Sequence, residues 1–74
     1  MIKELDLVAL TRPLPENKLE AGDVGTVVMV HGGGAGYTVE FMTLIGDTLD
    51  VVTLQASDVR PIQEREIAHA RAVA

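Results

Sequence analysis

The chain contains five short apolar segments with the alternation typical of β-strands, each bounded by turn-forming residues. The clearest is residues 37–42, where Tyr37, Val39 and Phe41 alternate with side chains of the opposite face. Because successive side chains of a strand point to opposite faces, Val39 and Phe41 are predicted to lie in the core. The other predicted strands are 5–11, 23–31, 48–54 and 58–62, and they are expected to place Leu10, Val59 and either Val24 or Val27 around that pair.

Proline and glycine mark the connections between these segments. Pro13 and Pro15 lack a backbone donor and end the first strand, so a long loop is predicted up to Gly22. The only bulky apolar residues of this loop, Leu14 and Leu19, are expected to fold back over the core. Gly22 and Gly25 are expected to provide the unusual backbone angles or the close approach that a turn and a bulge require.

Two hairpin turns are predicted between the strands, and the facing of one strand stays open. The glycine-rich residues 32–36 predict a hairpin, and the pair Gly46-Asp47 predicts a tight turn. The facing of the fourth strand stays open, because Val51 and Val52 are both apolar, and a bulge at that point would resolve it.

The last segment, residues 63–74, is rich in alanine and charged residues, which are good helix formers. Ile67, Ala70 and Ala74 fall on one face at helical spacing. A helix of about twelve residues is marginal in water unless it packs on something. Two alternatives therefore stay open: a frayed tail, or a helix docked on the rest of the domain or on a second copy.

Five short strands in this order predict an all-β fold, a small SH3-like barrel over residues 1–62 with a tail over 63–74. A resemblance to known proteins is carried by Leu10-Thr11, Leu14-Pro15-Glu16, residues 21–28, residues 37–41 and residues 56–61. On these residues the chain resembles a small bacterial family of SH3-like proteins, a domain of unknown function, over residues 2–62. It is similar more weakly to the KOW motif and to an SH3-like accessory protein of photosystem I. The close resemblance implies a fold and small companion proteins, some serving as partners of a toxin or an enzyme, and no established chemistry.

Composition narrows the class of function. The chain has 74 residues, no cysteine and a net charge of −5, with 6 Lys and Arg against 11 Asp and Glu. A domain of this size has one small core, which limits any enclosed active site. Its cations are scattered, so binding to nucleic acid starts at an electrostatic disadvantage. No apolar run approaches the roughly 20 residues of a membrane helix, and a cytoplasmic protein without membrane contact is expected.

No set of residues points to catalysis, a metal or a cofactor, and we expect a protein that is not an enzyme. His31 and His69 each lack a neighbouring ligand, whereas metal sites need three or four convergent groups. The glycine run precedes a strand instead of the helix that a phosphate loop requires. Glu40, Asp47 and Asp50 are interpreted as a solvated acidic face in preference to an acid-base pair.

The sequence therefore favours a non-enzymatic protein-interaction module, an accessory, immunity or antitoxin-like partner of another protein. Surplus apolar residues such as Leu7, Met29 and Met42 cannot all be internal, and they predict a homo-oligomer. The alternative is a KOW-like nucleic-acid or ribosome-associated domain. The candidate contact residues are Arg12, Pro13, Leu14, Pro15, Glu16, Ile67 and Ala70.

Overall fold

A computed structural model describes residues 1–73 and shows a five-stranded antiparallel sheet. The strands are β1 (Leu7–Leu10), β2 (Val24–His31), β3 (Gly36–Met42), β4 (Thr48–Gln55) and β5 (Val59–Pro61). Their order across the sheet is β4-β3-β2-β1-β5, so β1 pairs with both β2 and β5. Two single 3-10 turns, Pro15–Asn17 and Ala56–Asp58, are the helical segments of the described residues.

The predicted all-β class and its five strands are confirmed, with ends close to those expected from the sequence. The hairpin at the glycine run is confirmed as well: Gly32, Gly33 and Gly34 adopt positive φ, and the carbonyl of His31 accepts from Gly34 and Ala35. Gly22, with φ of 91°, occupies the turn predicted before β2. Closure of the sheet into an SH3-like barrel stays a prediction.

One face of the sheet holds the core. Val39 and Phe41 are 0% and 1% exposed, as the alternation of β3 predicted. Of the two candidates in β2, Val27 is buried and Val24 is 47% exposed. Leu14 and Leu19 pair through an isolated bridge and cover the core from the long loop, which confirms their prediction. The buried cluster comprises Val8, Leu10, Leu14, Leu19, Val27, Tyr37, Val39, Phe41, Leu54 and Val59.

Strand β4 contains a bulge, but it lies earlier in the strand than the Val51-Val52 pair. Phe41 pairs with Asp50 whereas Met42 pairs with Thr48, so Leu49 is the extra residue. After Leu49 the alternation is regular: Val51 is exposed, and Val52 packs against the core. A second irregularity lies between Val27 and Met29 of β2, where Val28 has no partner in β3.

The described part of the tail, residues 63–73, is not helical, so the helical alternative is wrong for these residues. Its only regular feature is a turn over 63–66, closed by a hydrogen bond of 3.2 Å from the Glu66 amide to the Gln63 carbonyl. Ile67 is 92% exposed and Ala70 is exposed, so the predicted apolar helix face is not formed. Ala74, the third residue of that face, lies outside the described residues. A helix this short needs apolar packing, which Ile67 does not obtain.

Candidate protein-interaction face

The face of the sheet opposite the core, called the outer face here, carries exposed apolar side chains on β1, β2 and β3. Leu7 and Ala9 of β1 alternate with the buried Val8 and Leu10, and Ala9 pairs with Val24 of β2. Leu7, Val24 and Met42 are 55%, 47% and 42% exposed. Neighbouring strands thus present apolar side chains on the side where a small sheet usually carries polar ones.

The turn between β3 and β4 extends this apolar surface. Leu44 and Ile45 are 80% and 88% exposed at its tip. The turn itself is well defined, because Thr43 accepts from the Gly46 and Asp47 amides and Gly46 adopts a φ of 97°. Two large aliphatic side chains at a hairpin tip have no role in the core, and exposed apolar surface of this kind is typical of a contact with another molecule.

Residues 63–73, called the tail strap here, cross the outer face and leave an open groove beneath them. The groove has a volume of about 1080 Å³. Its apolar lining includes Leu7, Val24, Met42, Leu44, Ile45 and Leu49, and the strap contributes its other wall. The volume is comparable with that of sites that hold a small ligand or a few side chains of a partner.

The strap is anchored at its start by Arg60 of β5. Both terminal nitrogens of Arg60 donate to the carboxylate of Glu66, each at 2.7 Å. The Gln63 amide also donates to Glu66, at 2.7 Å. The Arg60 guanidinium, helped by this amide, lowers the pKa of Glu66 to about 2. Two-point arginine to carboxylate pairing fixes geometry as well as charge.

The strap is anchored near its end by Arg71. The Nε of Arg71 donates to Asp23 Oδ1 at 3.0 Å, and its Nη2 donates to Asp23 Oδ2. Glu20 lies 3.5 Å from the same guanidinium. The Arg71 side chain holds the pKa of Asp23 below its usual range, against the opposing effect of partial burial.

These pairs predict how the strap responds to acid. The folded pKa of Glu66 lies below its ordinary value of 4.5, so the Arg60–Glu66 pair is intact above about pH 4.5 and is lost as the pH falls toward 2. A carbon-detected NMR titration of the Glu66 carboxyl group is expected to give a midpoint near 2. In the Arg60→Gln variant the midpoint is expected to return toward 4.5. An unchanged midpoint in that variant would contradict the pairing.

The candidate contact residues of the long loop are split by the structure. Leu14 is buried in the core, whereas Pro13, Pro15 and Glu16 are exposed. Arg12 donates to the buried carboxylate of Asp58 at 2.8 Å and holds its pKa below the usual range. That carboxylate also accepts from the Gln55 amide at 3.0 Å, so Arg12 supports the turn before β5. A contact role for these loop residues stays a prediction.

Ile67 and Ala70 of the tail do line the groove, although not as a helix. The strap they belong to meets the long loop at Glu20 and Asp23, the end opposite Arg12–Glu16. The structure therefore brings the two tail residues of the candidate set to the outer face and leaves the five loop residues elsewhere.

The polar side chains that were candidates for catalysis or metal binding do not form a site. Asp50 pairs with the inward-facing Phe41, and Glu40 pairs with the outward-facing Val51, so these two carboxylates point to opposite faces. Asp50 accepts from Asn17 at 2.7 Å, and Glu40 accepts from Thr48 at 2.6 Å. Across residues 1–73 no three His, Asp or Glu side chains converge as metal ligands would. Nor does any helix within this range combine the length and apolarity needed to cross a membrane.

The pairs that hold the strap were not predicted from the sequence. Asp23 and Arg71 are 48 positions apart, and no periodic pattern connects them. In the sequence Arg71 is one scattered cation and Asp23 the first residue of a strand. The only available signal was Arg60 with Glu66, because Arg60 lies in a strand that ends at proline and the opposite charge of Glu66 follows six positions later.

Comparison with known proteins identifies the family. Residues 4–61 match the model of a family described as Domain of unknown function (DUF4926). The match spans all five strands and covers most of the chain, so the chain belongs to this family. No curated protein and no solved structure matches it.

Proposed function

We propose that this member of the DUF4926 family is a non-enzymatic protein-interaction module, which binds a basic protein through the apolar groove of its outer face. In this proposal it acts as an accessory protein or as an immunity or antitoxin-like partner. The single observation that supports it best is the exposure of Leu44 and Ile45 next to Met42, because these side chains have no use inside the domain.

Charge supports a basic partner. The chain carries a net charge of −5, and Arg60 and Arg71, the arginines at the groove, are already paired with carboxylates. A partner of opposite charge would approach faster than a neutral one, and it would place its apolar contacts in the middle of the groove and its cations at the rim. The chain has no cysteine, which is compatible with a reducing compartment and supports a cytoplasmic location as part of the proposal.

The test compares two methionines of the outer face. Met42 lines the groove at 42% exposure, whereas Met29 is 52% exposed and lies outside the groove lining. Immobilised wild type, Met42→Asp and Met29→Asp proteins are each exposed to an extract of the native host. We expect a basic protein on wild type and Met29→Asp, reduced about tenfold or more on Met42→Asp, since burial of one such side chain contributes about 1.5–3 kcal/mol.

The captured protein is then purified and titrated against the three baits by calorimetry, so that the result does not depend on the extract. Equal affinity for Met42→Asp and wild type would contradict the proposed face. An acidic partner would contradict the charge argument, and a folded spectrum of each variant is the control for misfolding.

The same proteins address the alternative of a KOW-like nucleic-acid domain. Arg12, Arg60 and Arg71 are paired with carboxylates, so half of the six cations have internal partners. Nucleic-acid affinity rests largely on phosphate neutralisation, and we expect no binding to RNA or duplex DNA at physiological salt. Fluorescence anisotropy that detects submicromolar affinity there would favour the alternative.

Self-association belongs to the proposal too. In the absence of its partner, the apolar groove is expected to bring copies together at micromolar concentration. Sedimentation velocity on wild type and Met42→Asp would show an oligomer that the substitution dissociates. A wild-type protein that stays monomeric throughout that range would refute this part of the proposal.

A further inference from the structure

The residues Lys18–Asp23, called the arginine cradle here, surround a single guanidinium. Besides the two oxygens of Asp23, the Lys18 carbonyl accepts from Arg71 Nη2 at 3.4 Å, and Glu20 Oε2 lies 3.5 Å from Nη1. The Asp23 carboxylate is itself held in place by the Glu20 amide, which donates to Oδ2 at 2.8 Å. Four acceptors thus face one planar cation, an arrangement that suits arginine and not the point charge of lysine.

The occupant of the cradle is weakly attached to the rest of the domain. Within the described chain, residues 67–73 make no backbone–backbone hydrogen bond to a strand. Ile67 and Val73 are 92% and 38% exposed, so apolar packing contributes little. The Arg71 side chain is only 25% exposed and is the principal attachment of this part of the strap.

We propose that the arginine cradle is the binding site for an arginine side chain of a basic partner segment, and that Arg71 fills it in the free protein as an intramolecular competitor. The choice of partner rests on the proposed function, and the chemistry of the site rests on the cradle alone. The cradle's carboxylates and the net charge of −5 both favour a cationic segment. On binding, the partner's guanidinium replaces that of Arg71, and the strap leaves the outer face.

The strength of this competition can be estimated. A short tether holds its ligand at an effective concentration in the millimolar range. A free segment with a single arginine must exceed that concentration to displace the strap, whereas a partner that also fills the apolar groove succeeds at lower concentration. The strap thereby selects partners that use both the cradle and the groove.

The test uses the full chain with Arg71→Gln, which empties the cradle and frees the end of the strap without changing any residue of the five strands or of the cradle. The probe is a synthetic peptide with the sequence of residues 63–73, titrated into the isotope-labelled chain and followed by NMR. We expect saturable shifts at the amides of Glu20 and Asp23, with an affinity at least tenfold higher than for the wild-type chain. A peptide with lysine in place of Arg71 is expected to bind more weakly, and one with glutamine not at all.

Two double variants test whether the peptide binds at the cradle itself. Arg71→Gln combined with Asp23→Asn is expected to lose the peptide, and Arg71→Gln combined with Glu20→Gln, which spares the carboxylate that closes the turn, is expected to weaken it. Equal affinity for wild type and Arg71→Gln, binding of the glutamine peptide, or no shift at several millimolar peptide would each overturn the inference. Loss of partner binding in Met42→Asp concerns the groove alone, so either proposal can fail without the other.

Discussion

Phe41→Ala is expected to destabilise the protein by about 3–5 kcal/mol and to lower its urea midpoint strongly. Phe41 is 1% exposed and lies in β3, which pairs with β2 on one side and β4 on the other. Truncation of a buried phenylalanine costs about 3–5 kcal/mol, from lost transfer energy and from the cavity that remains. A domain of this length has roughly 4–11 kcal/mol of stability in total, so the loss removes a large part of it.

Urea denaturation followed by circular dichroism measures this effect. The matched control is Met42→Ala, the next residue of the same strand, which is 42% exposed on the outer face. It is expected to shift the midpoint only slightly, since its side chain already contacts water. If Phe41→Ala melted cooperatively at the wild-type midpoint, the assignment of the core to this face of the sheet would be wrong.

The sequence was sufficient to predict which side chains face the core wherever that facing follows from local alternation. The facing of β3 followed from Tyr37, Val39 and Phe41, because a period of two residues is a property of the backbone itself. The choice between Val24 and Val27 as the core residue depended on how β2 pairs with its neighbouring strands. Val24 pairs with Ala9 on the outer face, and the inward position beside it is taken by Gly25, which leaves Val27 to fill the core.

The tail shows why composition alone left two alternatives open. Its alanines and charged residues have high helix propensity, yet propensity is a weak bias that a few tertiary contacts outweigh. Here Glu66 and Arg71 are paired with Arg60 and Asp23 of the sheet and the long loop, and these pairs hold the segment in a non-helical conformation. The same contacts make up the arginine cradle and one wall of the groove. The candidate site could not be predicted for the same reason that the conformation of the tail stayed open: both depend on pairs between residues far apart in the sequence.

Gly25→Ala is expected to destabilise the protein by about 1–3 kcal/mol, the usual cost of overpacking a core. A Cβ at this position would lie 2.5 Å from Val39 Cγ1 and 2.9 Å from Phe41 Cε1. It would also lie 2.9 Å from the carbonyl oxygen of Glu40, which belongs to the backbone of β3 and cannot turn aside as a side chain can. Gly25→Val adds two methyl groups to the same space and is expected to prevent folding.

The effect of Gly25→Ala should be a lower urea midpoint with an unchanged slope, because the native and unfolded surfaces stay the same. The matched control is Val24→Thr, which keeps a branched side chain at the neighbouring position on the outer face, where Val24 is 47% exposed. It is expected to change the stability by less than about 0.5 kcal/mol. A Gly25→Ala protein as stable as wild type would mean that β2 and β3 can separate without loss. The core would then not depend on the close approach that leaves Val27 inside and Val24 free to line the groove.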